Sequence, residues 1–251
     1  MQPDGGTGAV TWTPDELVLW SDEVMLVANK PAGLLAIRGG YGTDPYLTQI
    51  LEPAFGRLWV VHRLDRETSG VVAFARAAAA HRELNTQFQE RDVGKVYHAL
   101  VVGVPPWQEV QVDFPLRRDG DRRHRTVVDA RGKPSLTHLA VLGRLPGYAL
   151  LEAVPRTGRT HQIRAHLSAL GYPIVGDRLY GGGAELLLSA LYPHREGTEA
   201  ADQVLIARTA LHALSITLTH PRSGKVVRFS APYPDDLSRA VQALRKAALG
   251  V

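Results

Sequence analysis

The sequence predicts an α+β fold: a mixed, mostly antiparallel sheet with helices on its flanks. Three observations carry that expectation. Apolar runs of strand length outnumber segments with a 3.6-residue period. Several neighbouring runs are joined by turns too short for a helical crossover, so they must pair antiparallel. The helical patterns are few and read as flanking elements, with no internal repeat and no domain boundary after residue 16.

Taken in order, residues 1–16 read as a flexible tail and 17–251 as one domain. Val24 to Ala28 is a compact strand candidate running into Asn29-Lys30-Pro31-Ala32-Gly33, a turn signal. Residues 57–76 hold apolar runs on either side of the polar loop HRLDRETSG at 62–70. Residues 77–92 predict a helix, with Leu84 and Phe88 four apart on one face. Val96 to Val102 reads as a strand. The basic stretch 115–134 reads as a solvated loop or hairpin tip. Leu136–Leu142 and Tyr148–Val154 predict a hairpin about Pro146-Gly147. Thr160–Leu170 is the clearest helix, with Ile163, Leu167 and Leu170 on one stripe and Gly171 and Pro173 placed to end it. Residues 183–203 mix Gly, Pro and charge without a period and predict an excursion from the core. Leu214, Ile216 and Leu218 alternate with polar residues and predict a strand pairing with Val226–Ser230. The last helix starts near Asp235 and turns Leu237, Val241 and Leu244 inward.

Composition narrows the class. The chain has 251 residues, 45% hydrophobic and 22% charged, which suits a globular domain with a real core. No run reaches the roughly 18 apolar residues of a membrane span, and the polar start lacks a secretory pattern. With no cysteine, disulfides and thiolate metal sites are excluded, and the cytoplasm is the expected compartment. Net charge is +4, and 24 of the 29 basic residues are Arg. Guanidinium suits phosphate and stacks on bases. A coding bias toward Arg explains the count equally well, so the motifs must decide.

Two segments concentrate chemistry. HRLDRETSG sets His62, Arg63, Asp65, Arg66 and Glu67 in one loop between apolar runs; such a loop either faces a cleft or is a surface turn knitted by ion pairs. PRTGRTHQIRAHL at 155–167 places Arg156 and Arg159 before a helix N-terminus, an anion-binding arrangement, or else a plain polar helix face. Tyr97, in KVYHALVVG, reads in isolation as strand packing. There is no GxSxG elbow, no Walker motif and no GxGxxG. His161 and His166 are five apart and point to different sides of a helix, which disfavours HExxH-type zinc binding.

Together these segments resemble the RluA-type pseudouridine synthases. KPAGLL (30–35), HRLDRETSG (62–70), KVYHALVVG (95–103), RTGRTHQIRAHL (156–167), GYPIVGDRLYGG (171–182) and the stretch Leu211–Leu237 occur in that family's order, spanning about residues 17–245. The resemblance implies the pseudouridine synthase catalytic-domain fold with a central RNA-binding cleft. It implies an isomerase that acts on specific uridines of ribosomal or transfer RNA, without cofactor or metal. By the same resemblance Asp65 is catalytic, Tyr97 lines the pocket against the base, Arg164 pairs with Asp65, and Arg63 contacts RNA and helps extrude the base. Arg156, Arg159, Arg122, Arg123 and Arg125 are expected phosphate contacts. Many relatives carry an S4 RNA-binding domain ahead of the catalytic one; a stand-alone, monomeric catalytic domain is expected here. The segments IRGGYGTDPYLTQIL (37–51) and 183–203 depart from the family pattern.

The chemistry fits the residues. Isomerising uridine needs no redox change and no metal-bound leaving group; a carboxylate suffices, as nucleophile or as base. It must be ionised, and a partner Arg opposes the rise in pKa that burial brings. The target base must leave its stack, and an aromatic wall recovers part of that cost. Two other readings compete: a non-catalytic RNA-binding or assembly factor of the same fold, and a metal-dependent hydrolase using His62, Asp65 and His161.

Overall fold

The computed structural model describes residues 12–39, 44–191 and 203–249. The expected tail up to residue 11 and most of the 183–203 excursion lie outside these. Of the expected tail, Pro14–Leu17 forms a single helical turn, α1, with Leu17 buried. The strands β1 (Val18–Ser21) and β2 (Met25–Lys30) follow as a hairpin, then α2 (Leu47–Phe55), β3 (Trp59–Val60), β4 (Ser69–Ala75), α3 (Ala78–Glu90), β5 (Gly94–Val102) and β6 (Glu109–Val112). A small hairpin, β7 (Leu116–Arg117) and β8 (Val127–Val128), fills the basic stretch. Then come β9 (Thr137–Leu145), β10 (Tyr148–Pro155), α4 (Gln162–Ala169), β11 (Leu186–Leu187), β12 (Val204–Ile206), β13 (Leu211–Thr219), β14 (Val226–Ser230) and α5 (Asp235–Leu249).

Among the described residues the main sheet runs β1-β2-β4-β13-β5-β10-β9-β6, with β14 on β13 and β3 on β4. Every pairing is antiparallel except β4 with β13, where His212 faces Ser69 and Ala213 faces Gly70. This is the predicted α+β architecture. The β9–β10 hairpin turns where Pro146-Gly147 predicted, with Gly147 at φ 73°. α3 and α4 lie within two residues of their expected ends, and α5 begins at Asp235 as expected. α2 and β6 were not anticipated. No helix among the described residues is long and apolar enough to cross a membrane.

β4 explains how the sheet is covered. Its seven residues are all buried, an apolar run with no exposed face. Val72 and Phe74 pack with Leu47 and Leu51 of α2 on one side. Val71, Ala73 and Ala75 pack with Ala80 and Leu84 of α3 on the other. A third cluster joins β5, β9 and β10 to Ile163 and Leu167 of α4 and to Leu237, Val241 and Leu244 of α5.

Gly70, at the start of β4, has a specific steric reason. It adopts φ +111°, and a Cβ there would sit 2.2 Å from the Ala213 carbonyl oxygen. Only Gly lets β13 approach so closely just after the HRLD loop. Gly70→Ala is expected to cost about 2–3 kcal/mol, as overpacking plus backbone strain. Urea unfolding would check this, and an unchanged midpoint would count against the close approach.

Candidate active site

The HRLD loop is held from below by an unusual donor. Lys30 is fully buried, and its ammonium donates to the carbonyls of Pro31 (2.8 Å), Leu34 (2.7 Å) and Arg66 (2.9 Å). All three of its protons are therefore used on backbone. The Gly33 N–H donates to the Arg66 carbonyl at 2.9 Å and the Arg66 Nε returns to the Gly33 carbonyl at 3.0 Å. The KPAG turn and the HRLD loop are thus stitched together, and Asp65 sits between fixed points. Burial lowers the Lys30 pKa to about 7, although the charges of Glu67 and Asp65 oppose the drop.

Asp65 faces a cleft of about 490 Å³. Arg164 Nη1 donates to its Oδ2 at 3.3 Å. The other edge of that guanidinium is clamped by Asp177: Nε to Oδ2 at 2.7 Å and Nη2 to Oδ1 at 3.0 Å. Asp177 is only 1% exposed. It also accepts the N–H groups of Leu179 and Tyr180, each at 3.2 Å. The loop after α4 therefore aims the Arg, and the Arg holds Asp65. Burial works against the charge on Arg164, but the Asp177 hydrogen bonds and charge, with Asp65 behind them, outweigh it and push its pKa up.

His161 comes within 3.8 Å of the same Asp65 oxygen through Nε2. It begins α4 in the left-handed region, φ 54°, and its Nδ1 lies 3.1 Å from the Tyr180 hydroxyl. Burial lowers its pKa despite the opposing Asp65 charge. The loop before α4 is set by Gln162: its Oε1 accepts from Thr157 Oγ1 (2.7 Å) and the Arg159 N–H (3.1 Å), while its Nε2 donates to Leu136 O (2.9 Å).

Tyr97 comes from β5 and lines the same cleft, half-buried and packed against two of the core clusters. Burial, reinforced by the Asp65 charge, pushes its phenol well above the usual range. The ring is a neutral aromatic wall across physiological pH. His62, by contrast, is structural. Its Nε2 accepts the Ala73 N–H at 2.9 Å and its ring stacks on Phe88 at 4.7 Å. Burial, with the Lys95 charge nearby, drops its pKa to about 3. That lone pair is committed, which weakens the His62–Asp65–His161 metal reading. Among the described residues no three His, Asp or Glu side chains gather as ligands.

The expected phosphate-binding arginines divide into two groups. Arg63, Arg156 and Arg159 line the cleft. Arg122, Arg123 and Arg125 lie on the β7–β8 hairpin, away from its walls. Arg125 is tied to Asp121 (2.7 Å) and to the Leu179 carbonyl (3.2 Å). Arg123 reaches the Arg178 carbonyl at 3.5 Å, and Arg122 is exposed. Most of the basic run is paired internally, Arg117 and Arg131 with Asp129 and Arg118 with Asp119. The hairpin touches the site through Tyr180, whose hydroxyl accepts the Thr126 N–H (3.0 Å) and donates to the Thr126 carbonyl (3.1 Å). The Arg164 guanidinium lies over the ring of Tyr180, 5.0 Å from its centroid. Lys30, Asp177, Tyr180 and the His161 contact were not anticipated. Asp177 and Tyr180 stood in GYPIVGDRLYGG, but nothing in its spacing assigned them a task.

Chemically, the cleft offers one carboxylate, an aromatic wall and a basic rim. Comparison with other proteins gives a consistent picture. The family model described as RNA pseudouridylate synthase matches residues 24–169. The chain is 36% identical over 240 residues to ribosomal large subunit pseudouridine synthase D of Neisseria meningitidis, covering 91% of this chain and 61% of that one. It is 40% identical over 235 residues to the protein of the same name from Xanthomonas campestris, covering 91% and 69%. Thus the chain spans about three fifths of the Neisseria relative's length. Among solved structures, human RNA Pseudouridylate Synthase Domain Containing 4 superposes with a TM-score of 0.72 at 26% identity, covering 92% of this chain and 94% of that one.

Proposed function

The chain belongs to the RNA pseudouridylate synthase family, and from that premise we propose that it isomerises uridine to pseudouridine in large-subunit ribosomal RNA, with Asp65 as the catalytic carboxylate. One observation carries the assignment of Asp65: among the described residues lining the cleft it is the sole carboxylate, and Arg164 holds it. The reaction breaks N1–C1′, turns the uracil, and forms C5–C1′. The proton at C5 is lost and N1 gains one, so the balance needs no further reactant. Asp65 assists departure of the base from the sugar, as nucleophile or as base. Arg164 fixes the position of its carboxylate through the hydrogen bond to Oδ2. The uridine enters the cleft flipped from its stack, with the Tyr97 ring against the base.

Pseudouridine mapping of ribosomal and transfer RNA in cells lacking the protein tests this reading. One or a few large-subunit sites should disappear and return with the wild-type gene. Loss confined to transfer RNA would overturn the substrate, and no loss at all would overturn the enzyme.

Tyr97 carries a separable expectation. We propose that its phenol transfers a proton at C2′ or C5; Tyr97→Phe keeps the aromatic wall and removes that group, so RNA affinity should hold within about twofold while single-turnover rate falls about 10²-fold. Equal rates for Phe and Tyr would reduce Tyr97 to a stacking surface.

A further inference from the structure

The cleft lining includes side chains that the chemistry above does not use: the stacked His62–Phe88 pair, Val93 and the end of α3. Lys95 lines the cleft as well, two residues before Tyr97 on the same face of β5. Among the described residues its ammonium has no hydrogen-bond or ion-pair partner, and burial lowers its pKa. Lys95 is part-exposed where it lines the cleft, so its ammonium can meet an anionic ligand there. Gly158 lies beside the ammonium: a Cβ there would be 3.8 Å from Nζ, in ordinary contact.

Two further cations line the cleft without an acidic partner among the described residues, Arg91 and Arg156. Arg91 closes α3 in the left-handed region, φ 67°, where Gly is the usual choice. A strained Arg on a cleft wall is the kind of position that function retains. All three cations line the cleft that holds Asp65.

We infer that Lys95, flanked by Arg91 and Arg156, binds a backbone phosphodiester of the RNA strand next to the flipped uridine. The inference rests on the RNA-modifying reading of the cleft and adds the contact that fixes the strand. Lys95 is a positioning residue here; it holds the chain so that the sugar reaches Asp65.

The test is the salt dependence of binding, by fluorescence anisotropy, of a uridine-loop RNA hairpin to the full chain. Each phosphate contact contributes a slope of about 0.7–0.9 in log Kd against log salt. Lys95→Met should lower the slope by about that amount and weaken binding roughly tenfold, whereas Lys95→Arg should keep the slope. An unchanged slope in a folded Lys95→Met variant overturns the inference. A second arm leaves the protein intact. Hairpins with single neutral methylphosphonate linkages should include one position beside the target uridine that weakens wild type and leaves Lys95→Met unaffected; if no such position exists, the inference falls. Pseudouridine formation is measured separately on the same RNAs. A slope change without any product would sustain the phosphate site while overturning the proposed reaction.

Discussion

Asp65→Asn should bind RNA at least as tightly as wild type and form pseudouridine at least about 10⁴-fold more slowly, the scale seen when a nucleophile is removed from an otherwise intact site. The two halves of this expectation have different causes. The rate falls because the remaining side chains of the cleft are basic, aromatic, apolar or neutral, and none can replace a carboxylate. The affinity holds because the substitution removes a negative charge from a surface that must accept a polyanion. Fold should also persist, since Asp65 is partly exposed and its contact with Arg164 is long. Single-turnover product formation and anisotropy binding separate the two. A variant that loses both together would point to a collapsed loop, and one that keeps its rate would remove Asp65 from the chemistry.

Asp177→Ala should be the most destabilising change at the site. Arg164 would keep its charge in a buried position and lose both short hydrogen bonds, leaving only the 3.3 Å contact to Asp65. Breaking a buried pair from one side costs about 3–5 kcal/mol. The Leu179 and Tyr180 amides would lose their acceptor as well. Product formation should fall too, because the guanidinium is aimed at Asp65 by this clamp. Adding Arg164→Met to Asp177→Ala should recover part of the stability and none of the rate. Denaturant unfolding of the single and double variants measures this, and a double variant no more stable than Asp177→Ala would mean the clamp is not what stabilises the loop.

Much of the site was legible because its residues travel in motifs. HRLD and HQIR announced Asp65 and Arg164, and their contact across 99 residues came with the resemblance and not from any local pattern. The β9–β10 hairpin and α4 were legible from alternation and from a clean helical stripe ended by Gly171. α2 was not, because Pro53 interrupts its pattern and reads as a breaker. Lys30 read as part of a turn; its role depends on the Arg66 carbonyl, 36 residues away. The basic run reads as a hairpin tip and folds as one, and Asp119, Asp121 and Asp129, which alternate with its arginines, pair with four of them. Lys95 was passed over because a Lys at a strand start is ordinary until the cleft around it is known.

The place of β13 governs when the protein can exist as a working molecule. The loop bearing Asp65 leads into β4, and Tyr97 rides on β5, yet these strands do not touch; β13 lies between them. A chain emerging from the ribosome presents Asp65, Tyr97 and Arg164 long before residues 211–219 are available to join the two halves. Such distant pairings are slow to form, since loop closure precedes any gain from the contacts. Nascent chains short of β13 therefore carry Asp65, Tyr97 and Arg164 without the strand that joins β4 to β5, and the cleft is completed only once residues 211–219 have been made.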